Sequence, residues 1–536
     1  MKKIGVLYFS DNELYRLDVA YGIAALKNQH YKIYTQKIEM ESFKEFKQLI
    51  KEDTAFFVIF VSYDCYDLLI KTCSEIKAIY PHTKIIVCNS LVNKHYKLMF
   101  YEIPQIDFVI IGEYEETLAE LFIRFFEQKE VYTCKGIAFK INGEIRINQH
   151  RPLVDINSLN YPDRDFDYNG SNFFHIYGSR GCEGHCTFCD RNSLYSFDGK
   201  NCVRLRSVKN IIDEIDLLVE KYQCKFISFS DPTFVSSYGV VERLDELYEN
   251  LKKKNYWIQF TFNIRAQQIN EDVIKCLIKL KECGLGKIFV GIESFNEVDL
   301  KLYGKCIDLP LIKRCVGLLN RFSKLTKDYY LKVEYGFINF NPYSNKNGLQ
   351  KNIQSFKDLK LHINPYILDS KLTANSLTKI SKKINSDNLF LCDLSLISLR
   401  EALKHDIKYN FANPNVEKIY ELVKKICCKV SIPNDNGIEF LRNRYIHYYQ
   451  YDSLMEKYDN AYLEWLNVVN EFSYDAFMFV INFFENSDIE EQIDIKIEKF
   501  LKTYYCIERR LSGIHQRVII RLKQIDELIY YRPIFS

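Results

Sequence analysis

The sequence predicts an α/β protein in three parts: an N-terminal doubly wound domain, a second set of βα units, and an α-helical C-terminal domain. In the first 130 residues, short apolar runs alternate with amphipathic stretches. The same alternation resumes from about 172 to 375, and from 376 to 536 long amphipathic stretches take over. Such alternation is typical of parallel sheets whose strands are joined by helices. A chain of 536 residues is also too long for one ordinary domain.

Residues 1–130 contain four runs rich in β-branched or aromatic residues, which suit strands buried on both faces of a parallel sheet. The runs are Ile4–Tyr8, Phe56–Val61, Lys84–Val87 and Phe108–Ile111. After Gly112, the apolar residues Leu118, Leu121, Phe122 and Phe125 have helical spacing. We therefore expect a doubly wound, Rossmann-like domain.

Residues 131–171 are predicted to form a connector. Gly136–Gly143 has the pattern of two strands around an Asn-Gly turn, which is a strong hairpin signal. The segment Tyr161–Asp165 then interrupts regular structure with a proline and three charged residues. The connector should separate the first domain from a second one.

Residues 172–375 carry the second series of apolar runs, separated by helical stretches such as Val208–Tyr222. The strand candidates are Phe226–Phe229, Trp257–Phe262, Lys287–Gly291 and Lys332–Phe340, and a further apolar run, Phe173–Tyr177, lies near the start of this region. Repeated βα units favour a parallel sheet or a partial barrel. Beyond them, Asn415–Lys429 and Ile489–Ile529 are predicted helices of the C-terminal domain.

Composition argues against several classes of protein. The 73 basic and 70 acidic residues are well mixed and give a net charge of +3. This charge distribution gives no indication that the chain binds nucleic acid or a membrane surface. No apolar run approaches the roughly 18 residues of a membrane span, and the N-terminal apolar stretch is too short for a signal peptide. We expect a soluble, cytoplasmic protein whose 17 cysteines are reduced and available to a metal.

The segment Ser179–Asp190 places three cysteines within eight residues, at positions 182, 186 and 189, with glycines at 181 and 184. Glycines permit the backbone turns by which a loop can surround one inorganic cluster. Cysteine thiolates are the usual ligands of iron–sulfur clusters, and four of them normally saturate four irons. With only three cysteines, one iron would be open for chemistry.

This segment is open to two other interpretations. His185 could complete a Cys₃His zinc site, although the paired C-x₂-C arms of zinc ribbons and fingers are missing. The three cysteines could also be incidental in a cysteine-rich chain. The other fourteen cysteines show no ligand spacing and are expected to behave as small apolar residues.

Cys182-x₃-Cys186-x₂-Cys189, with an aromatic residue directly before the last cysteine, resembles the signature of the radical S-adenosylmethionine (SAM) superfamily. Further segments between 172 and 375 resemble the family's later strands and loops, in the same order. They are Arg204–Ser207 with the following helix, Phe226–Phe234, Gly291–Ser294, the polar turn Asp299–Lys305, and Gly336–Pro342. The resemblance implies a partial (β/α)6 barrel.

The resemblance also implies that Cys182, Cys186 and Cys189 bind three irons of a [4Fe–4S] cluster and that SAM chelates the fourth. It assigns SAM contacts to Phe188 near the adenine, Asp231 at the amine, Glu293 and Ser294 at the ribose or carboxylate, Arg265 at the carboxylate, and Ile338 against the adenine. The segment around Asp231 is Ser-Asp-Pro rather than the Gly-Gly-Glu type. Arg265 could instead form a barrel ion pair, and Ile338 could be a core residue.

A doubly wound domain before such a barrel resembles the cobalamin (B12)-binding module of one radical SAM class. Phe108–Thr117 resembles that module's fourth strand and helix start, and Ser62 fits the loop after the second predicted strand. The loop Phe9–Glu13 lacks the Asp-x-His-x-x-Gly that supplies a histidine to cobalt, and Cys88–Leu91 lacks the glycine pair. Either cobalamin binds without a protein ligand to cobalt, or the fold persists without cobalamin.

Three functions follow as hypotheses. The first is an enzyme that cleaves SAM reductively and modifies a small metabolite, natural-product precursor or peptide by radical chemistry, with reduced flavodoxin or ferredoxin as electron donor. With cobalamin, methyl transfer would be expected. The second is a non-catalytic iron–sulfur scaffold or binding protein, and the third is a redox relay, which would more usually bind all irons with cysteine.

Overall fold

The structure is a computed structural model, and it describes residues 3–10, 12–27, 31–39, 54–89, 91–191, 203–363, 365–430 and 437–524. Within these residues the chain forms two large sheets, each covered by helices, and a pair of long C-terminal helices. No helix in the described part of the chain is long and apolar enough to cross a membrane. The predicted α/β class with a helical C-terminal region is confirmed.

The first sheet has seven strands in the order β2-β1-β3-β4-β5-β6-β7. The strands are β1 (Lys3–Tyr8), β2 (Lys32–Lys37), β3 (Thr54–Phe60), β4 (Lys84–Cys88), β5 (Phe108–Ile110), β6 (Ile137–Ile141) and β7 (Glu144–Ile147). Strands β1 to β5 are parallel, which confirms the predicted doubly wound arrangement. The helices are α1 (Glu13–Leu26), α2 (Tyr66–Ile79), α3 (Val92–Glu102) and α4 (Glu115–Phe126).

Two features of the first sheet differ from the prediction. Strand β2 was not predicted, because this half-buried edge strand has a polar sequence without an apolar run. The hairpin at Gly136–Gly143 forms as expected, but β6 pairs antiparallel with β5 and extends the first sheet instead of belonging to a connector. Ile137, Ala138 and Phe139 are buried against the first domain, and their burial explains this placement.

The second sheet has five parallel strands in the order β14-β13-β12-β11-β8. They are β8 (Phe173–Ile176), β11 (Phe226–Phe229), β12 (Gln259–Arg265), β13 (Leu285–Glu293) and β14 (Lys332–Phe337), while β9 (Ser179–Arg180) and β10 (Arg204–Leu205) form a separate pair. A sixth parallel contact is reduced to one bridge between Phe340 and Lys371. Strand β12 begins after Trp257 and runs on to Arg265, because its polar residues alternate with buried Phe260, Phe262 and Ile264.

Successive side chains along each strand of the second sheet point to opposite faces. One face carries apolar residues that helices cover, and the other face is polar. Five residues occupy one row across the polar face, in register from strand to strand: His175, Ser228, Thr261, Lys287 and Lys332. We call this side the polar face of the second sheet. It leads towards the carboxyl ends of the strands, where the loops of a parallel sheet carry functional groups.

The helices after β10 begin with α5 (Val208–Tyr222), as predicted, and continue through the C-terminal region. They are α6 (Val240–Leu251), α7 (Glu271–Glu282), α8 (Glu297–Leu302), α9 (Leu309–Phe322), α10 (Lys346–Asp358), α11 (Pro365–Leu368), α12 (Lys379–Ser386), α13 (Leu399–Ala402), α14 (Pro414–Lys429), α15 (Ile438–Tyr449), α16 (Ser453–Phe483) and α17 (Ile489–Lys523). Most of the expected polar turn at Asp299–Lys305 is thus the short helix α8 and its end. The last residues of the predicted helix Ile489–Ile529 lie outside the described part.

The C-terminal helices contact both domains. Helix α15 lies at the amino end of the second sheet, where Gln259 Nε2 donates to the Phe440 carbonyl oxygen over 2.8 Å. Helices α16 and α17 pack along each other. Leu399 and Leu403, far along the chain, are buried in the core on one side of the first sheet. These contacts join the parts of the chain into one framework around the loops at the strand ends.

Candidate functional site

The three motif cysteines lie in the loop that follows β9, close to the carboxyl end of the second sheet. A Cβ built on Gly184 would lie 3.4 Å from the sulfur of Cys182 and 3.6 Å from that of Cys186. The Gly184 amide nitrogen is 3.3 Å from the Cys182 sulfur. All three thiols, including that of Cys189, are half-buried and unpaired by disulfides. The loop therefore places the sulfurs of Cys182 and Cys186 on either side of the Gly184 backbone, as two ligands of one cluster would lie.

The segment between Cys186 and Cys189 is held by α8 and α12. The amide of Thr187 donates to the Tyr303 carbonyl over 2.8 Å, and its hydroxyl donates to the Leu302 carbonyl over 2.7 Å. The Thr187 carbonyl accepts from the Ile380 amide over 2.9 Å. Phe188, predicted to lie near the adenine, stands edge-on to Tyr303 at 5.5 Å between ring centroids. These bonds hold the backbone between Cys186 and Cys189 against the ends of α8 and α12.

Burial controls the chemistry of these thiols. It raises the pKa of Cys189 to about 12 and raises that of Cys186, against the opposing effect of Lys305 and Arg265. A metal that binds a thiolate must displace this proton. In the described residues no three His, Cys, Asp or Glu side chains are grouped closely enough for one metal ion.

An ion pair lies directly beside this loop. Lys305 Nζ is 2.8 Å from Glu293 Oε1, and both side chains are about a tenth exposed, at 9% and 11%. Arg265 contributes a second, looser pair, with 3.4 Å between its Nη1 and Oε2 of Glu183. A Cβ built on Gly184 would lie 4.0 Å from Cζ of Arg265, and one built on Gly304, the residue before Lys305, would lie 3.1 Å from the carbonyl oxygen of His185. Two predicted site residues, Arg265 on β12 and Glu293 on β13, therefore lie next to the cysteine loop.

Asp231, predicted to contact the SAM amine, lies in a buried, hydrogen-bonded environment at the end of β11. Its side chain is completely buried, and its carboxylate accepts from the backbone amides of Gly178 and Ser179. Burial raises the pKa of Asp231 to about 6, although these amides and Arg243 lower it. In this structure the carboxylate shapes the backbone that leads into the cysteine loop.

Ser294 and Ile338 also lie within the framework of the site. The Ser294 hydroxyl is fully buried and donates to Asp299 Oδ2 over 3.0 Å. The amide of Ile338 donates to the Glu293 carbonyl over 2.9 Å, so this residue adjoins the ion pair. Asn341 Nδ2 bonds both Asp299 and Tyr303. A buried polar network thus supports the loop that contains Glu293.

Sequence reasoning missed the residues that join the two domains at this site. Arg180 is buried between Glu113 and Glu115 of the first domain, at 3.0 and 2.5 Å. The hydroxyl of Tyr63, which follows β3, donates to Asp190 Oδ2 over 2.7 Å. Glu183 lies in the cysteine segment and Lys305 in the predicted polar turn, so their charges made them recognisable candidates in the sequence. No local feature of the sequence indicates that Tyr63 bonds Asp190.

The carboxyl edge of the first sheet, where the resemblance would place cobalamin, faces the cysteine loop. Ser62 is buried there, and Asn89 donates to the Val61 carbonyl with a φ of +107°. Asn93 Nδ2 is buried without a hydrogen-bond partner in the described residues. The loop Phe9–Glu13 contains no histidine. Nδ2 of Asn93 is thus a buried donor without a partner among the described residues, at the edge where a cobalamin would lie, and it fits a cobalamin without a histidine ligand from the Phe9–Glu13 loop.

Residues 176–321 match the sequence profile of the radical SAM superfamily. An uncharacterized methyltransferase of Pyrococcus horikoshii is 31% identical over 218 residues, which cover 39% of this chain and 45% of that protein. A putative methylthiotransferase of Methanocaldococcus jannaschii is 26% identical over 58% of this chain and 65% of its own length. An anaerobic magnesium-protoporphyrin IX monomethyl ester cyclase of Synechocystis is 23% identical, over 46% and 49%. The chain thus spans less than two thirds of each of these relatives.

Two solved structures share the fold. The cobalamin-dependent SAM radical enzyme OxsB, with aqua-cobalamin and SAM bound, superposes with a TM-score of 0.68 over 98% of this chain and 80% of its own, at 16% identity. The radical SAM methyltransferase TsrM from Kitasatospora setae, with cobalamin and a [4Fe–4S] cluster bound, gives 0.54 over 75% and 81%, at 12% identity. At these identities the likeness establishes the fold.

Residues 176–321 of the chain thus form a radical SAM domain, and the chain shares the overall fold of the cobalamin-dependent enzyme OxsB. The predicted superfamily and fold class are confirmed by the profile match and the structural likeness. Membership of the superfamily implies a [4Fe–4S] cluster and SAM as cofactors.

Proposed function

We propose that this chain is a radical SAM enzyme that modifies a small metabolite, natural-product precursor or peptide. The observation that carries the proposal is the cysteine loop around Gly184, which lies beside Arg265 and beside Gly304, the residue before Lys305 of the Glu293–Lys305 pair. Three thiols at Cys182, Cys186 and Cys189 leave one iron of a cluster for SAM. When bound, the cluster and SAM supply one-electron cleavage of the sulfonium and a 5′-deoxyadenosyl radical that abstracts hydrogen.

The roles of the chain's own residues follow from their charges and positions. Arg265 is the candidate for the SAM carboxylate, because its ion pair with Glu183 is long and a bidentate carboxylate would match its guanidinium better. Glu293, held by Lys305, is the candidate acceptor for ribose hydroxyls or the amine. Phe188 and Ile338 supply apolar surface for the adenine. Asp231 and Ser294 support these residues from buried positions.

The framework also serves to exclude water. The links between the domains at Arg180 and Tyr63 keep the first domain against the cysteine loop. A closed site prevents a reactive intermediate from being quenched by solvent. Reduced flavodoxin or ferredoxin as electron donor and a cytoplasmic location are part of this proposal.

Reconstitution of the full chain with iron and sulfide under anaerobic conditions tests the proposal. Dithionite and SAM should then yield 5′-deoxyadenosine and methionine, and replacement of Cys182, Cys186 and Cys189 by alanine should abolish both products and most bound iron. Cys283→Ala and Cys315→Ala, which change cysteines on other elements of the same domain, are the controls. A cluster whose spectrum does not respond to SAM would support a non-catalytic scaffold instead.

The second candidate is a cobalamin-dependent radical SAM methyltransferase. The likeness to OxsB over 98% of the chain, together with the unpaired Asn93 amide at the edge of the first sheet, supports it. Reconstitution with hydroxocobalamin separates the two candidates. Stoichiometric corrinoid retained through gel filtration, with S-adenosylhomocysteine formed beside 5′-deoxyadenosine, supports methyl transfer. Corrinoid that washes off, with 5′-deoxyadenosine alone, supports the first candidate.

A further inference from the structure

A cavity of about 870 Å³ lies along the free edge of β14, between that strand and helix α16. The second sheet ends at β14, so no further strand of the described chain covers this edge apart from the bridge at Phe340. Tyr330, Phe337 and Trp465 are among the aromatic residues that line the cavity. Cavities of a few hundred to a thousand Å³ with aromatic walls are typical of small-molecule sites.

The cavity reaches the polar face of the second sheet. Phe289, Glu334 and Gly336 line it, and Phe289 is 39% exposed although it lies in mid-strand. Gly336 is in register with Gly291. A Cβ on Gly291 would lie 2.9 Å from Lys305 Nζ and would collide with the carboxylate of Glu293. The inner end of the cavity therefore lies next to the Glu293–Lys305 pair that adjoins the cysteine loop.

The charges around the cavity are unbalanced. Its lining has four basic side chains, from Arg321, Lys324, Lys332 and Lys360, against the single carboxylate of Glu334. Glu334 pairs with Lys332 at 3.2 Å, and Arg321 pairs with Glu271 at 3.0 Å. Lys324 and Lys360 are exposed, and neither forms an ion pair in the described part of the chain. Such a rim attracts anions towards the opening.

We propose that this cavity, which we call the β14 cavity, is the substrate site and that the substrate is an anionic organic molecule with an aromatic or other apolar body. Its carboxylate or phosphate lies at the rim formed by Lys324 and Lys360, and its body packs between Phe289 and Trp465. This assignment rests on the proposed function, because it identifies the substrate class of the same enzyme. The C-terminal helix α16 thereby takes part in substrate recognition.

The chain has only two tryptophans, Trp257 and Trp465, and this permits a local test. Trp257 stacks on His447 and does not line the cavity. In the reconstituted Trp257→Phe protein, Trp465 is the only indole reporter. Its fluorescence is titrated with three probes: biphenyl-4-carboxylate, biphenyl-4-yl phosphate and biphenyl-4-ylmethylammonium. Both anions should change the emission of Trp465 at concentrations at which the cation does not, and the stronger of the two anions identifies the preferred headgroup.

The variant Lys324→Gln/Lys360→Gln should weaken binding of the anions by roughly tenfold, since two exposed cationic contacts are lost. Lys253→Gln/Lys313→Gln, which removes two positive charges outside the cavity lining, should bind as the parent does. Equal binding of the cation and the anions, or anion binding that the Lys324/Lys360 change leaves intact, would overturn the assignment. Neither measurement requires SAM cleavage, so loss of 5′-deoxyadenosine formation would be recognised separately as a failure of the proposed function.

Discussion

Oε1 of Glu293 lies 2.8 Å from Nζ of Lys305 at the end of β13, and the residue before Lys305, Gly304, packs against the backbone of the cysteine loop at His185. Glu293 has a φ of +66°, a left-handed conformation that costs a residue other than glycine about 1 kcal/mol or more. The turn carries the carboxylate back over Gly291, where no side chain occupies the space. The strained backbone at Glu293 thus places its carboxylate between the cysteine loop and the β14 cavity.

Replacement of Lys305 by methionine should destabilise the fold, because it leaves the Glu293 carboxylate buried without its partner. A loss of about 3 kcal/mol is expected for breaking one side of a buried pair. The double variant Lys305→Met/Glu293→Gln should recover a part of that loss. Urea unfolding of the four proteins, followed by circular dichroism, measures the coupling. Strictly additive effects would show that the two side chains do not interact.

Replacement of Arg180 by methionine should be among the most damaging single changes at the domain boundary. In the described residues it leaves Glu113 with Arg204 as its one cationic partner beside the Val154 amide, and it leaves Glu115 without this cation, at an expected cost of about 3–5 kcal/mol. Arg146→Met removes an exposed pair with Glu144 and should cost about 0–1 kcal/mol. Thermal unfolding and limited proteolysis would compare them. Similar midpoints for the two variants would contradict a structural role of Arg180.

Tyr63→Phe should make the cluster easier to lose without unfolding the protein. The change removes the 2.7 Å hydrogen bond to Asp190, next to Cys189, while the ring contact with His405 is kept. A bond to a charged acceptor contributes about 1.5–3 kcal/mol, so release of iron to a chelator should accelerate roughly tenfold. Tyr238→Phe changes an exposed tyrosine as the control. Release at the parent rate would show that the first domain does not hold the loop.

Asp231→Asn should change how stability depends on pH. Burial raises the pKa of Asp231 from 3.8 to about 6, so the native state binds more protons at this group than the unfolded chain between these values. The stability of the parent should therefore rise as pH falls through 6, by about 1 kcal/mol relative to Asp231→Asn between pH 7 and pH 5. Urea unfolding at the two pH values measures this difference. An unchanged difference between parent and variant would mean that Asp231 does not titrate in this range.

The local pattern of the sequence determined a large part of this protein. Helix α5 was predicted at its observed ends, and four strands of the first sheet lie where apolar runs occur, because burial on both faces requires continuous apolar residues. The spacing of Cys182, Cys186 and Cys189 identified the superfamily, because a cluster ligand loop is short and contiguous. Polar strand β2 has no such signal and was missed.

Tertiary structure decided what depends on partners distant in the chain. The hairpin β6–β7 extends the first sheet because β5 would otherwise have an unpaired edge. Leu399 and Leu403 are part of that domain's core although almost 300 residues separate them from it in the sequence. Asp231 became a support for Gly178 and Ser179 instead of facing an open site, since its burial is set by the packing of several elements. The Tyr63–Asp190 bond and the β14 cavity arise only when separate elements meet. Contacts of this kind have no period or spacing along the sequence, and so only the folded chain contains them.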